Sequence, residues 1–149
     1  MRRPWLRAVI CVVLAVVSTG LLAGCDGGPP PGSEAAVARQ KANNTMIRQL
    51  EALPGATVTA DVTSGLDAGQ NNVGVNAQLP AAATVAQANA MADSIERIIW
   101  LSHLDPIGRI SIGVNRAGSS APVVRLYQDE IDTRPMGVKY GPRPGGLTG

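Results

Sequence analysis

Hydrophobic and polar residues follow two different periods along this chain, and the periods predict helices and strands. Between Ser33 and Ala52 the apolar residues recur at spacings of three and four, which is typical of one face of a helix. From Ala56 to Leu79 the spacing changes to two, which predicts two strands that each bury one side. The glycine-rich link at residues 64–71 is too short for a crossover helix, so these two strands are expected to be antiparallel.

The second half of the chain repeats this order. Thr84 and Gln87 have the spacing of a capping box, which predicts the start of a second helix. That helix is expected to end before Pro106, because a residue preceding proline avoids the helical conformation. Alternating residues at 109–114 and 123–127 then predict two more strands.

A helix followed by two strands, occurring twice, predicts an α+β fold. We expect an (αββ)₂ two-layer sandwich, in which a four-stranded, mainly antiparallel sheet carries both helices on one face. The folded domain is expected to span residues 33–128. The Gly/Pro-rich tail at 129–149 is expected to be loose beyond Pro135, after a short helical turn at residues 129–131.

The helical periodicity also predicts which side chains of each helix are buried and which are exposed to solvent. The stripe of the first helix is Val37, Ala38, Ala42, Met46, Ile47, Leu50 and Leu53. The second helix is expected to place Asp93, Glu96 and Arg97 in solvent. Trp100 is expected at the edge of the core, the alternative being an exposed anchor for a partner.

The first 24 residues have a different character. Arg2, Arg3 and Arg7 precede an apolar run at residues 8–17, and small residues follow, which is the layout of a secretory signal. The longer apolar stretch at residues 8–23 is interrupted by Ser18, Thr19 and Gly20, and it is shorter than the roughly 20 residues that a membrane-spanning helix needs. A cleaved signal peptide at 1–24 is therefore the prediction.

The end of this signal, Leu22-Ala23-Gly24-Cys25, resembles the lipobox of bacterial lipoprotein precursors. The resemblance implies that Cys25 carries a diacylglyceryl group and becomes the first residue of the mature chain, held on the extracytoplasmic face of the cell membrane. Two or more acyl chains give a stable anchor. Residues 25–32 would then form a Gly/Pro tether between the lipid and the domain.

Removal of the signal changes the charge and the cysteine count. Three of the thirteen Lys and Arg residues lie before Cys25, so ten remain against eleven acidic residues, a formal charge of −1. The precursor's basic character is therefore no sign of nucleic-acid binding. Cys11 leaves with the signal, so we expect no disulfide and no cysteine metal site, and no cofactor motif is present.

His103 is the chain's one histidine and the first candidate for catalysis. One hypothesis is an envelope hydrolase in which His103 acts with a nearby Ser or with Asp105. The other is a structural residue at the end of a helix, where the dipole favours a histidine. A metal site would need further ligands, which only carboxylates could supply, so we predict none. Carriage of a lipid between the helices and the sheet is a further alternative, which predicts an internal apolar cavity.

The outer face of the predicted sheet is the candidate binding surface. Its side chains are short, polar and of mixed charge, and they are expected either to be merely solvated or to dock an envelope protein or a cell-wall glycan. They are Thr57, Thr59, Asp61, Asn76, Gln78, Arg109, Ser111 and Arg125.

In topology, residues 33–127 resemble the small αββαββ modules of bacterial envelope proteins such as the BON domain. The segments at 99–106 and 140–144 are similar to stretches of actinobacterial lipoproteins. These resemblances imply the fold and the location but no activity. The sequence therefore predicts a lipoprotein with a non-catalytic binding or scaffolding domain in the cell envelope.

Overall fold

The computed structural model describes residues 29–64, 70–128 and 133–144. The predicted signal, Cys25 and the first part of the tether lie outside these ranges. Within them the chain forms three helices and four strands. In chain order these are α1 (Glu34–Glu51), β1 (Thr57–Ser64), β2 (Asn71–Leu79), α2 (Val85–Leu101), β3 (Ile107–Arg116), β4 (Val124–Gln128) and α3 (Thr133–Tyr140).

The four strands form one sheet in the order β1-β2-β3-β4. The β1–β2 and β3–β4 pairs are antiparallel, whereas β2 and β3 are parallel. The parallel pair arises because α2 connects these two strands and returns the chain to the same end of the sheet. The predicted α+β fold with a mainly antiparallel four-stranded sheet is confirmed.

Alternation along the strands places the core between the sheet and the helices. β2 and β3 bury every second side chain, and Ile110, Ile112 and Val114 are completely inaccessible. Met46 and Leu50 of α1 and the stripe of α2 around Ile95 close the other side. The inward residues predicted for the central strands are therefore confirmed.

The predicted helix starts are also present. The Ser33 hydroxyl accepts a hydrogen bond from the Ala36 amide, and Thr84 and Gln87 form the reciprocal bonds of a capping box. The predicted stripe of α1 is wrong at Val37, which is 61% exposed, and at Ala38, which is also exposed. Val37 lies nine residues from Met46, about half a turn away around the helix, so the two cannot share a face.

The C-terminal segment differs most from its prediction. The turn predicted at residues 129–131 lies outside the described ranges, but Thr133–Tyr140 forms α3, which packs against α2. Met136 is buried, and Gly137 lies against the Trp100 ring. The expectation of a loose tail beyond Pro135 is therefore wrong through residue 144, because these contacts supply the stability that the Gly/Pro-rich composition lacks.

Within the described ranges, every helix falls short of the length and apolar character that a bilayer crossing needs.

Candidate binding face on the sheet

All eight predicted binding residues lie exposed on the sheet face that the helices leave uncovered. The strand register arranges them in rows across the sheet. One row runs from Thr57 to Gln78, and a second joins Thr59, Asn76 and Arg125 through Gly113. The eight residues therefore share one exposed side of the sheet, as their alternation along the strands predicts.

Two glycines shape the centre of this face. A Cβ added at Gly74 would lie 2.6 Å from the Oδ1 atom of Asp61, so the Asp61 carboxylate already occupies the space above that glycine. A Cβ added at Gly113 would meet only the Oδ1 atom of Asn76, at 3.9 Å. Gly113 is thus the floor of a shallow depression, which we call the Gly113 trough, bordered across the strands by Asn76 and Arg125.

Hydrogen bonds fix the polar group beside the trough. The Nδ2 atom of Asn115 donates to the Oδ1 atom of Asn76 at 2.7 Å, and the Thr59 hydroxyl donates weakly to the Asn76 carbonyl at 3.4 Å. The Asn76 amide therefore keeps its NH₂ donors and one lone pair of its Oδ1 atom for a ligand.

The face offers both donors and acceptors of hydrogen bonds. It combines hydroxyls of Thr and Ser, amides of Asn and Gln, two guanidinium groups and the Asp61 carboxylate, so donors and acceptors alternate over a short distance. Arg109 and Arg125 carry positive charge on the same face as Asp61, which keeps the net charge of the face small.

His103 and Asp105 do not form the hydrogen-bonded pair that the hydrolase hypothesis requires. His103 lies exposed beyond the end of α2, and in the described part of the chain its imidazole makes no hydrogen bond or ion pair. The Asp105 carboxylate instead lies 3.0 Å from the Nη1 atom of Arg143. Among the described residues, no group of three or more His, Cys, Asp or Glu side chains could hold a metal ion.

An open apolar groove of about 480 Å³ lies where the end of α1 approaches the start of α2. Leu53, Leu79, Ala83 and Met91 provide much of its lining. It opens to solvent and is not the enclosed cavity between helices and sheet that the lipid-carriage alternative predicts.

A cluster of polar side chains between α2 and α3 was missed by sequence reasoning. Glu96 is only 5% exposed, so the prediction that it lies on the solvent-exposed side of α2 is wrong. It accepts hydrogen bonds from the Tyr140 hydroxyl and, at 2.9 Å, from the Nζ atom of Lys139, which also lies 2.7 Å from Asp93. The prediction is wrong because α3 covers this side of α2, and no periodicity within α2 could show that.

The pKa values of Lys139 and Tyr140, the two α3 members of this cluster, are both raised. The hydrogen bond to Asp93 is the largest of the effects that raise the pKa of Lys139. Burial, followed by the hydrogen bond to Glu96, raises the pKa of Tyr140 to about 12. Both groups are protonated at neutral pH, so the cluster joins α2 to α3 through hydrogen bonds and ion pairs.

Trp100 and Arg143 form the other half of this contact. The indole Nε1 atom of Trp100 donates to the Gly141 carbonyl at 2.9 Å, and the Arg143 guanidinium lies 5.8 Å from the centre of the indole ring. Arg143 also donates to the Leu104 carbonyl, and its burial lowers its pKa. Trp100 is 3% exposed, so its predicted packing in the core is confirmed.

Comparisons with protein-family models, with curated proteins and with solved structures found no match to this chain.

Proposed function

We propose that this chain is a bacterial lipoprotein whose domain is a non-catalytic binding module on the extracytoplasmic face of the cell membrane. The observation that carries the proposal is the order of segments before the domain. A basic and apolar signal ends in Leu22-Ala23-Gly24-Cys25, and a Gly/Pro-rich stretch joins Cys25 to the first residue of α1. Such an order serves to hold a domain near a bilayer without inserting it.

The ligand we propose is a cell-wall glycan, bound on the outer sheet face. Sugar hydroxyls both donate and accept hydrogen bonds, and the Gly113 trough is bordered by the Asn76 amide, which can do both, and by the Arg125 guanidinium, which donates. An anchored chain meets this polymer continuously, so modest affinity at each site suffices because the anchor raises the effective concentration. A hydrolytic role for His103 has less support, because its imidazole lies exposed and makes no hydrogen bond to Asp105 within the described residues.

If Cys25 carries the lipid, labelling of the chain with a fatty acid depends completely on this cysteine. In cells fed an alkyne-bearing fatty acid, Cys25→Ser is expected to abolish labelling of the full chain and to block its normal processing. Cys11→Ser is the matched control, because Cys11 is the only other cysteine and lies in the apolar part of the signal. Labelling that persists in Cys25→Ser, or that disappears in Cys11→Ser, contradicts lipidation at Cys25.

If the glycan binds in the Gly113 trough, a large side chain placed in the trough is expected to block glycan binding. Gly113→Tyr places a large side chain where no backbone or core atom obstructs it, so the domain is expected to stay folded. Retention on purified cell-wall glycan is expected to fall roughly tenfold or more, since displaced hydrogen bonds each contribute about 1 kcal/mol. The measurement is co-sedimentation with insoluble glycan, with circular dichroism as the check of folding.

Val138→Tyr is the control for this experiment, because Val138 is 90% exposed on α3, in the helical layer. It adds the same side chain and is expected to leave retention unchanged. Equal retention by both variants contradicts binding in the trough. If neither parent nor variants bind glycan, but Gly113→Tyr removes a crosslink to an envelope protein, the face binds a protein instead.

A further inference from the structure

The β1 strand is an edge of the sheet without the features that usually protect an edge. It is eight residues long and pairs with β2 over its whole length without a bulge. In the described part of the chain no backbone hydrogen bond is made from the other side of β1. Natural edges are shielded by lysine, proline, bulges or short length, but β1 has a regular register and the sequence Thr-Val-Thr-Ala-Asp-Val-Thr-Ser.

The opposite edge of the sheet is different. β4 has only five residues, and Pro122 lies two residues before its start. A short strand with a proline beside it offers few free backbone groups. Of the two edges, β1 is thus the one suited to pairing.

Val58 of β1 is buried at 7% exposed, but the other two inward side chains of the strand are incompletely covered. Ala60 and Val62 are only partly buried, whereas Val75 and Ile112, further into the sheet, are 5% and 0% exposed. α1 covers β1 from above but leaves apolar surface beside it. A strand added at this edge would bury that surface as well as satisfy the free backbone groups.

The sequence of β1 is complementary to itself. When a strand pairs antiparallel with its own copy around a two-fold axis, one residue lies opposite itself, and residues of the same sheet face lie opposite each other. With Ala60 at the axis, Thr59 lies opposite the partner's Asp61 and Val58 lies opposite the partner's Val62. The Thr59 hydroxyl can donate to that carboxylate in place of its weak 3.4 Å bond to the Asn76 carbonyl, and the partly buried Val62 can pack beside the edge of the partner's Val58.

The neighbouring register is unfavourable. With Asp61 at the axis, Asp61 would lie directly opposite the partner's Asp61, and like charges at that position are destabilising. The registers centred on Ala60 and on Asp61 each pair seven of the eight residues of β1, more than any other register, and the charge of Asp61 disfavours the second.

We propose that β1 pairs antiparallel with β1 of a second copy of this chain, in the register that places Ala60 opposite the partner's Ala60. The two four-stranded sheets become one continuous sheet of eight strands. The outer faces join into a single surface, and a polymeric ligand could contact both Gly113 troughs at once. The pairing does not depend on lipidation or on the identity of the ligand.

Charge placement tests the pairing and its register. The full chain in excess detergent micelles is expected to sediment as a dimer. Thr59→Asp places a carboxylate opposite the partner's Asp61 at two symmetric positions, so the dissociation constant is expected to rise by roughly tenfold or more. Thr57→Asp is the matched control, since it adds the same charge to the same face of β1 but lies opposite the partner's Thr63. It is expected to remain dimeric.

The double variant Thr59→Asp with Asp61→Thr exchanges the two side chains and is expected to restore the dimer. A monomeric parent chain overturns the proposal, as does equal weakening by Thr59→Asp and Thr57→Asp, or failure of the exchange to rescue while circular dichroism shows a folded domain.

Disulfide trapping in membranes gives an independent measurement. Ala60→Cys is expected to form a disulfide-linked dimer on mild oxidation, because residues opposite each other in a sheet lie within bonding distance. Asp61→Cys is expected to crosslink far less, because its counterpart is displaced along the strand. The parent chain, with only Cys11 and Cys25, gives the background. Stronger crosslinking through Asp61→Cys than through Ala60→Cys overturns the register.

Discussion

Trp100→Ala is expected to lower the free energy of unfolding by about 3–5 kcal/mol, the usual cost of truncating a buried tryptophan. Trp100 is 3% exposed, and its indole lies at the contact between α2 and the C-terminal segment. Truncation leaves a cavity beside Gly137, removes the hydrogen bond to the Gly141 carbonyl, and takes away the ring that the Arg143 guanidinium faces. The measurement is urea unfolding followed by circular dichroism.

Trp100→Phe separates the packing from the hydrogen bond. Phenylalanine retains an aromatic ring but has no N–H group, so a smaller loss of about 1–2 kcal/mol is expected. Equal losses in the two variants would mean that the hydrogen bond to Gly141, and not packing, carries the contribution of Trp100. A loss below about 1 kcal/mol for Trp100→Ala would mean that the contact of α2 with α3 and residues 141–144 contributes little to the stability of the domain.

The elements that the sequence predicts correctly are those whose burial follows from their own periodicity. The apolar residues Ile110, Ile112 and Val114 occupy every second position of β3 because one side of the strand faces the helices. The sequence of the strand alone shows this pattern. The capping box of Thr84 and Gln87 is equally local, since both partners lie within one turn. Such signals need no knowledge of the rest of the chain.

α3 could not be predicted in this way. Its sequence, Thr-Arg-Pro-Met-Gly-Val-Lys-Tyr, contains a proline and a glycine and has weak intrinsic helix propensity. The helix depends on contacts with α2, chiefly those of Met136, Lys139 and Tyr140. The error at Glu96 has the same origin, because a helix pattern shows which side is polar but not which later segment covers it.

The sequence predicts which residues lie on the candidate binding face, but it does not predict the shape of that face. Alternation alone assigns all eight polar side chains to one side of the sheet. The trough depends on which residues lie beside Gly113, and that requires the β2–β3 and β3–β4 registers. A glycine in a strand could equally mark a bulge, as Gly108 does next to the irregularity between Asn71 and Asn72.

Glu96→Ala is expected to lower the free energy of unfolding by about 2 kcal/mol, the scale of a lost hydrogen bond to a charged group. Glu96 is nearly inaccessible and accepts from the Tyr140 hydroxyl and from Lys139. The loss stays below that of a broken, fully buried ion pair because Lys139 is 47% exposed and retains Asp93. Denaturant unfolding measures it, and Glu96→Gln, which keeps an acceptor for Tyr140, is expected to lose about half as much.

A titration of Tyr140 distinguishes loss of this hydrogen bond from a general loosening of α3. The folded protein holds the pKa of Tyr140 at about 12, against an ordinary value of 10.0, so its contribution to stability is complete below pH 10 and is lost as the pH rises to about 12. Removing Glu96 removes its hydrogen bond and its negative charge, two causes of the raised pKa, while burial, the largest cause, remains. In Glu96→Ala the pKa of Tyr140, followed by tyrosinate absorbance, is therefore expected to fall but to stay above 10. An unchanged pKa would show that Glu96 does not hold the Tyr140 proton, and a fall to the ordinary value would show that α3 has separated from α2.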